Sequence, residues 1–261
     1  MKLGVCTGFE NITTAAEVGF SFVECNLSQL AAMSEAEFQA LVAQAESFPV
    51  PVLRCNGFLP GEVKVTGPDV DEQAVRAYLD KALQRASAIG VKTAVFGSSA
   101  ARNVPEGWSF DAAWKQLAAF LQIAAEYAET YDVDIAIEPL RRQESNIVNL
   151  VSEAMVLAAW VDSPRVGVLA DTFHVLSSCE PWTNLKNAGE KLLHVHISGP
   201  LPDMSSRIYP APGDGNDYGS IFEVLRQMDY PGLISVEAGT EDLKKDGAAC
   251  LACLGEYFEE A

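Results

Sequence analysis

Short apolar runs alternate with longer amphipathic stretches from one end of the chain to the other. The apolar runs predict eight strands, at 2–7, 20–26, 51–56, 91–97, 133–139, 166–173, 192–198 and 232–238. Runs this apolar, bounded by turn signals, are the pattern of parallel strands covered on both faces. Between them the spacing predicts helices at about 11–18, 34–48, 71–89, 110–131, 149–161, 183–190, 218–229 and 241–258. In the fourth helix Trp114, Leu117, Ala118, Leu121, Ala125 and Ala128 keep one apolar stripe at helical spacing. Ser34 and Ser109 stand where N-caps belong, and Gly19 and Gly90 where a helix must end before a strand.

Eight successive strand–helix units predict a (β/α)8 TIM barrel, an α/β fold of one domain over 1–261. The glycine fingerprint of a doubly wound dinucleotide fold is absent. Two connections exceed plain turns. Residues 57–70 (GFLPGEVKVTGPDV) follow the third strand, and residues 199–217 (GPLPDMSSRIYPAPGDGND) follow the seventh. Both fall at the carboxyl ends of strands, where long loops act as lids or binding walls. The three glycines of the first predict a hinged lid.

Composition narrows the function. A formal net charge of −18 repels phosphate backbones and anionic membranes, so neither nucleic acid nor membrane is an expected partner. No apolar stretch is long enough for a membrane span, and Met1 leads directly into a strand, so no leader is expected. The six cysteines are scattered, with Cys6, Cys25 and Cys55 inside apolar runs. Buried reduced thiols and a cytoplasmic location follow as expectations. Cys250 and Cys253 form a lone CxxC within a helical stretch, which reads as packing. Nothing here opposes a homo-oligomer.

Chemistry enters with four of the apolar runs: IAIEPL, VLADTF, LHVHIS and LISVEA. They place Glu138, Asp171, His196 and Glu237 at the carboxyl ends of four consecutive strands. A strand-end carboxylate alone is explained by a helix cap or an arginine partner. Four such groups on adjacent strands of one barrel converge at one mouth and repel one another unless a cation holds them. Three carboxylates with one imidazole suit one divalent ion, with Mn²⁺ preferred and Mg²⁺ or Co²⁺ acceptable. His194 lies one layer below His196 and reads as a hydrogen-bonded barrel residue. Glu24, at the end of the second strand, either lines the mouth or pairs with a cation. Arg102, after the fourth strand, reads equally as a binder of substrate hydroxyls or acid groups and as a surface loop residue. Phe58 and Trp108 are candidates for an apolar wall.

The segments IEPLRRQES (137–145), LADTFH (169–174), HVHISG (194–199), RIYPAPGDG (207–215) and ISVEA (234–238) resemble the sugar isomerases and epimerases of the xylose-isomerase-like superfamily, most of all the metal-dependent ketose 3-epimerases. The likeness runs over essentially the whole chain. It implies that Glu138, Asp171, His196 and Glu237 are the metal ligands, and that Glu138 and Glu237 are also the catalytic acid and base. It further implies substrate contacts at Glu144 and His174. The family has an arginine shortly after the histidine of the seventh strand. Here the candidate is Arg207, eleven residues beyond His196 in a longer loop.

The expected chemistry is proton transfer on a sugar substrate. A metal that chelates the carbonyl and adjacent hydroxyl oxygens of a ketose acidifies the C–H between them. One glutamate removes that proton to give a metal-bound enediolate, and the other returns a proton on the opposite face. Reprotonation at a different carbon gives aldose–ketose isomerisation. Loss of a β-hydroxyl gives an inosose or keto-sugar dehydratase on the same site. The loop after the eighth strand, EAGTEDLKKD, is acidic and glycine-poor, which favours unphosphorylated ketoses. Apurinic endonucleases share the barrel, but their trinuclear zinc site needs more histidines than the three present here. A non-catalytic binding barrel would have no use for an acid/base pair.

Overall fold

A computed structural model describes residues 1–258. Eight parallel strands close a barrel: β1 (Lys2–Cys6), β2 (Val23–Asn26), β3 (Val52–Asn56), β4 (Thr93–Phe96), β5 (Asp134–Ile137), β6 (Val166–Asp171), β7 (Leu192–Ile197) and β10 (Leu233–Val236), the last pairing with both β7 and β1. The TIM barrel expected from the strand–helix alternation is therefore present. A two-stranded antiparallel ribbon, β8 (Gly199–Pro200) and β9 (Arg207–Ile208), lies within the long loop after β7.

The helices start and stop for local reasons. Helix α1 (Ile12–Val18) ends at Gly19, whose φ of 114° only glycine adopts readily. Ser34 begins α3 (Glu35–Ala45) with a capping box to Glu37, and Ser109 caps α6 (Phe110–Tyr131) through the Ala112 N–H. Asp71 caps α4 (Glu72–Ala88), and α7 (Val151–Val161) and α9 (Gly219–Gln227) lie where the periodicity places them. Helix α10 (Leu243–Leu254) carries Cys250 and Cys253, both free thiols, in keeping with a packing role.

Three short helices were not anticipated. Asn26 ends β2 and caps α2 (Leu27–Ala32) through the Gln29 N–H. Helix α5 (Ser99–Arg102) follows β4, and α8 (Thr172–Ser177) begins directly at the last residue of β6. The helix expected at 183–190 is two 3-10 turns, Trp182–Asn187 and Gly189–Lys191.

Most of the core lies between barrel and helices. Strand alternation turns Ala136 and Leu169 to the same face as Glu138 and Asp171, and with Val95 they form a separate apolar layer beneath the mouth. His194, buried and in register with Leu169, shares that layer, so the floor of the mouth is packed side chains with one imidazole among them.

Candidate active site

Each of the four converging residues is fixed by the backbone that carries it. Glu138 follows the last residue of β5, and its N–H donates to Phe96 O at 3.1 Å. Glu237 stands in the same place after β10, with its N–H on Ile197 O at 3.1 Å. Asp171 ends β6 and caps α8. Its Oδ1 accepts from the N–H groups of Phe173 at 2.7 Å and His174 at 3.2 Å, which leaves Oδ2 for the mouth. His196 lies within β7 beside Asp171 in register.

The four side chains meet. One ligand atom from each of Glu138, Asp171, His196 and Glu237 lies within 4.8 Å of all the others. His196 Nδ1 is 3.1 Å from Glu237 Oε2, 3.4 Å from Glu138 Oε1 and 3.8 Å from Asp171 Oδ2. Arg207 reaches in from β9, with Nη1 2.5 Å from Asp171 Oδ2 and 2.9 Å from Glu237 Oε2. The eleven-residue displacement of this arginine in sequence is absorbed by the β8–β9 ribbon, which folds it back over the mouth. Asn56, at the end of β3, donates to the other oxygen of Glu237 at 3.2 Å.

Glu24 lies behind the cluster and completes it. It is fully buried, and its two carboxylate oxygens face His196 Nε2 at 2.9 Å and His194 Nε2 at 2.8 Å. His194 Nε2 also lies 3.0 Å from Ser235 Oγ, so His194 is the hydrogen-bonded barrel residue expected. Glu24 thus borders the cleft, and its hydrogen-bond partners are the two imidazoles.

The local field separates the carboxyl groups. Burial pushes Glu138 above its usual range, an effect that His196 opposes and the Glu237 charge reinforces. Burial acts in the same sense on Glu237, but His196 and Arg207 overcome it and hold Glu237 well below the carboxylate range. For His196, burial is outweighed by Glu237 and Glu24, which keep its pKa well above the usual value. Burial lowers His194 to about 4, so this ring is neutral near neutral pH.

The donor set fits a divalent cation. His196 Nδ1 is buried without a hydrogen bond, and Glu237 Oε2, likewise without one, has only its ion pairs to Arg207 and His196. Buried polar atoms without hydrogen bonds are costly, and a cation shared with Glu138 and Asp171 would give both a partner. Three carboxylate oxygens and one imidazole nitrogen match the ligand preference of Mn²⁺ or Mg²⁺ better than that of a thiolate-seeking metal.

Of the four, Glu237 opens on a cleft of about 410 Å³, which Arg207, Glu24, Glu10, Asn26 and Asn56 also line. With this geometry a family model described as a xylose isomerase-like TIM barrel matches residues 12–253. The chain belongs to that family. It is 32% identical over 131 residues to the fructoselysine 3-epimerase of Escherichia coli O157:H7, covering 49% of this chain and 46% of the relative. Over 127 residues it is 32% identical to the L-ribulose 3-epimerase of Methylomonas sp. (strain DH-1), covering 48% and 42%. The match thus spans less than half the length of these relatives. The fold superposes on a D-psicose 3-epimerase crystal structure with D-tagatose, from Clostridium cellulolyticum H10, with a TM-score of 0.84 at 21% identity over 99% of this chain and 98% of that one. No helix among the described residues is long and apolar enough to cross a membrane.

Within this member of the xylose isomerase-like family, the remaining expected residues divide. His174, in the first turn of α8, is buried, and its Nδ1 accepts from the Arg141 N–H at 3.3 Å. Glu144 is ion-paired with Arg141 at 2.6 Å, and its side chain is 37% exposed. Arg141 donates on to Met204 O, and both Arg141 and Arg207 lie over the Phe173 ring. These contacts stitch the loops after β5, β6 and β7 together beside the cluster.

Arg102 is a correction. Its side chain is 0% exposed, and its guanidinium donates to Phe96 O at 2.9 Å, Glu138 O at 2.7 Å and Val148 O at 3.4 Å. It fastens the carboxyl ends of β4 and β5 from behind and has no face toward the cleft. Phe58 and Trp108 are not a wall either. Phe58 is buried against Phe96 and Phe120, and Trp108 is an exposed residue bonded to Gln116.

The loop 57–70 is likewise no hinge. Val65 and Thr66 bond to the backbone of Ala101 and Asn103, and Gln116 clamps both the N–H and the carbonyl of Gly67 at 2.8 Å. Its Phe58, Leu59, Val65 and Thr66 are buried, so it is a fixed buttress. Gly97, which the sequence did not mark, has a plain steric role: a Cβ there would collide with Glu138 Oε2.

Proposed function

We propose that this protein is a divalent-metal-dependent epimerase of unphosphorylated ketoses, with isomerisation as the allied reaction. One observation carries the reading. Glu138 and Glu237 approach the same imidazole nitrogen at 3.4 and 3.1 Å from β5 and β10, with β6 and β7 between them on the barrel rim. A sugar carbon held between such groups has a carboxyl on each face, and inversion at carbon requires that arrangement.

Glu138, Asp171, His196 and Glu237 are the residues that would hold the ion, Mn²⁺ by preference, which when bound acidifies the C–H between the ketose carbonyl and its neighbouring hydroxyl. The protein does the rest. One glutamate takes the proton from its face, and the other gives a proton on the opposite face. That task needs two carboxyl groups of opposite protonation, and the field around Glu138 and Glu237 drives them apart in that sense. Arg207 orients substrate oxygens beside Asp171 and Glu237, and Asn56 holds the far oxygen of Glu237. Glu144 and His174 are assigned as further substrate contacts, reached through Arg141.

Two features support the substrate class. Among the described residues lining the cleft Arg207 is the one cation, facing Glu10, Glu24 and Glu237, so a phosphate meets net repulsion. The relatives are named as 3-epimerases of fructoselysine and L-ribulose, both ketoses.

The test is deuterium incorporation from solvent at each carbon of a panel of ketoses and inososes, with Mn²⁺ present. Exchange at C3 of a ketose, with appearance of its epimer, is the expected result. Release of water from an inosose, with ketoses untouched, would replace the epimerase by the dehydratase.

A further inference from the structure

Glu24 stands behind the metal-binding face of His196, on a strand that supplies none of the four converging ligands. Each of its oxygens meets one imidazole: Oε1 meets His196 Nε2 at 2.9 Å and Oε2 meets His194 Nε2 at 2.8 Å. A carboxylate only accepts, so both rings must present Nε2–H to it. With Nε2 keeping its proton, Nδ1 is the nitrogen whose proton a metal would displace, and it is the one facing Glu138, Asp171 and Glu237.

Resting on the metal-site reading above, we propose that Glu24 is the positioning residue that locks the Nε2–H tautomer of both histidines and thereby reserves His196 Nδ1 for the metal. The consequence is specific because the two rings compete for one group. A glutamine at position 24 offers one acceptor oxygen and one donor NH2, so it satisfies only one Nε2–H, and the other ring must move its proton to Nδ1. For His194 that proton would be buried with no partner. For His196 it would face Glu237 Oε2 at 3.1 Å. His196 is therefore the ring that changes, and the change puts a proton where the metal belongs.

The competition gives a test that a merely structural role would not pass. The expected result for Glu24→Gln is a loss of Mn²⁺ affinity of about 10- to 100-fold, the usual cost of removing a carboxylate behind a ligating histidine. Adding His194→Phe removes the rival ring, frees the glutamine oxygen for His196 Nε2–H and should restore most of the affinity. Long-range ¹H–¹⁵N spectra of the Mg²⁺-loaded protein, which has three histidines, report the tautomers directly. The wild type should show Nε2–H on both His194 and His196. A double variant that binds Mn²⁺ no better than Glu24→Gln overturns the proposal. So does Nδ1–H on either ring of the wild type, and this arm stands even if Glu24→Gln does not fold. A wild type that binds no Mn²⁺ yet shows both Nε2 protons would instead refute the metal-site reading and leave the tautomer lock intact.

Discussion

Replacing Arg102 by methionine separates two roles that a sequence cannot tell apart. If the guanidinium contacted substrate, its loss would raise KM and leave stability unchanged. Its position implies the reverse. The change removes donors from Phe96 O and Glu138 O, at 2.9 and 2.7 Å, and a longer contact to Val148 O. Glu138 O is left without a donor, at about 1–3 kcal/mol, while Phe96 O keeps the Glu138 N–H and loses a charge-assisted bond of about 1.5–3 kcal/mol, together roughly 2.5–6 kcal/mol. The thioether refills part of the volume, and one cost of the wild-type residue disappears, because burial disfavours the Arg102 charge and pushes its pKa down to about 10. We therefore expect a net loss of about 3 kcal/mol, read as a fall of about 1 M in the urea midpoint for an m-value near 3 kcal/mol/M. Because the Glu138 carbonyl is one of the lost partners, kcat should fall while KM stays near its original value. An unchanged urea midpoint with a raised KM would refute the reasoning and return Arg102 to the substrate.

Four further outcomes follow from contacts at the mouth. Mn²⁺ at 100 times its dissociation constant should stabilise the folded protein by about 2.7 kcal/mol, and His196→Ala should abolish that shift in thermal melts; equal shifts in both would remove the metal site. Glu138→Gln and Glu237→Gln should each cut epimerisation by roughly 10²-fold or more, with solvent deuterium exchange confined to one substrate face, and full epimerisation in either variant would end the two-base mechanism. Asn56→Ala removes one 3.2 Å hydrogen bond to Glu237 and should lower kcat about fivefold at constant metal content, given a net worth near 1 kcal/mol; unchanged turnover would show the bond to be idle. Gln116→Ala releases the clamp on Gly67 and should lower stability by about 1–3 kcal/mol with turnover intact, whereas a large kinetic effect in a stable variant would restore the lid.

The residues that were legible in the sequence share one property: the backbone alone fixes their place. Glu138, Asp171, His196 and Glu237 each end an apolar run, and in a parallel barrel the end of a run is the mouth. No knowledge of contacts is needed for that step, only the alternation of faces and the common direction of the strands. For Asp171 a helix cap and a place in the cluster do not exclude each other. Its Oδ1 caps α8 and its Oδ2 faces the cluster. The cap orients the carboxylate, and the helix that begins at once after β6 was hidden because its residues completed an apolar run.

The residues that were not legible depend on which strand ends face each other across the closed barrel. Glu24 is 172 positions from His196, and no local pattern relates them; barrel closure through β1 and β10 brings β2 round to β7. Arg102 failed for a different reason. It lies in a stretch of Ser, Ala, Asn and Pro that reads as surface loop, yet the Glu138 carbonyl just past β5 takes its donor from this guanidinium, which also adds a second donor to Phe96 O at the end of β4. Parallel strands that stop at a functional mouth always leave such acceptors, and something must donate to them where water is excluded. A buried arginine does so here for three backbone segments at once, which explains why a charged residue is worth burying at that point. The same demand predicts where a long polar side chain in a loop after a barrel strand should be read as structural: where the loop is short enough to fold back under its own strand end, as the four-residue α5 does. Arg207, carried out on a ribbon and returned over the mouth, is the opposite case, and its side chain meets carboxylates in place of carbonyls. The distinction between these two arginines rests on the length and folding of the loops that carry them, and on nothing in the residues themselves.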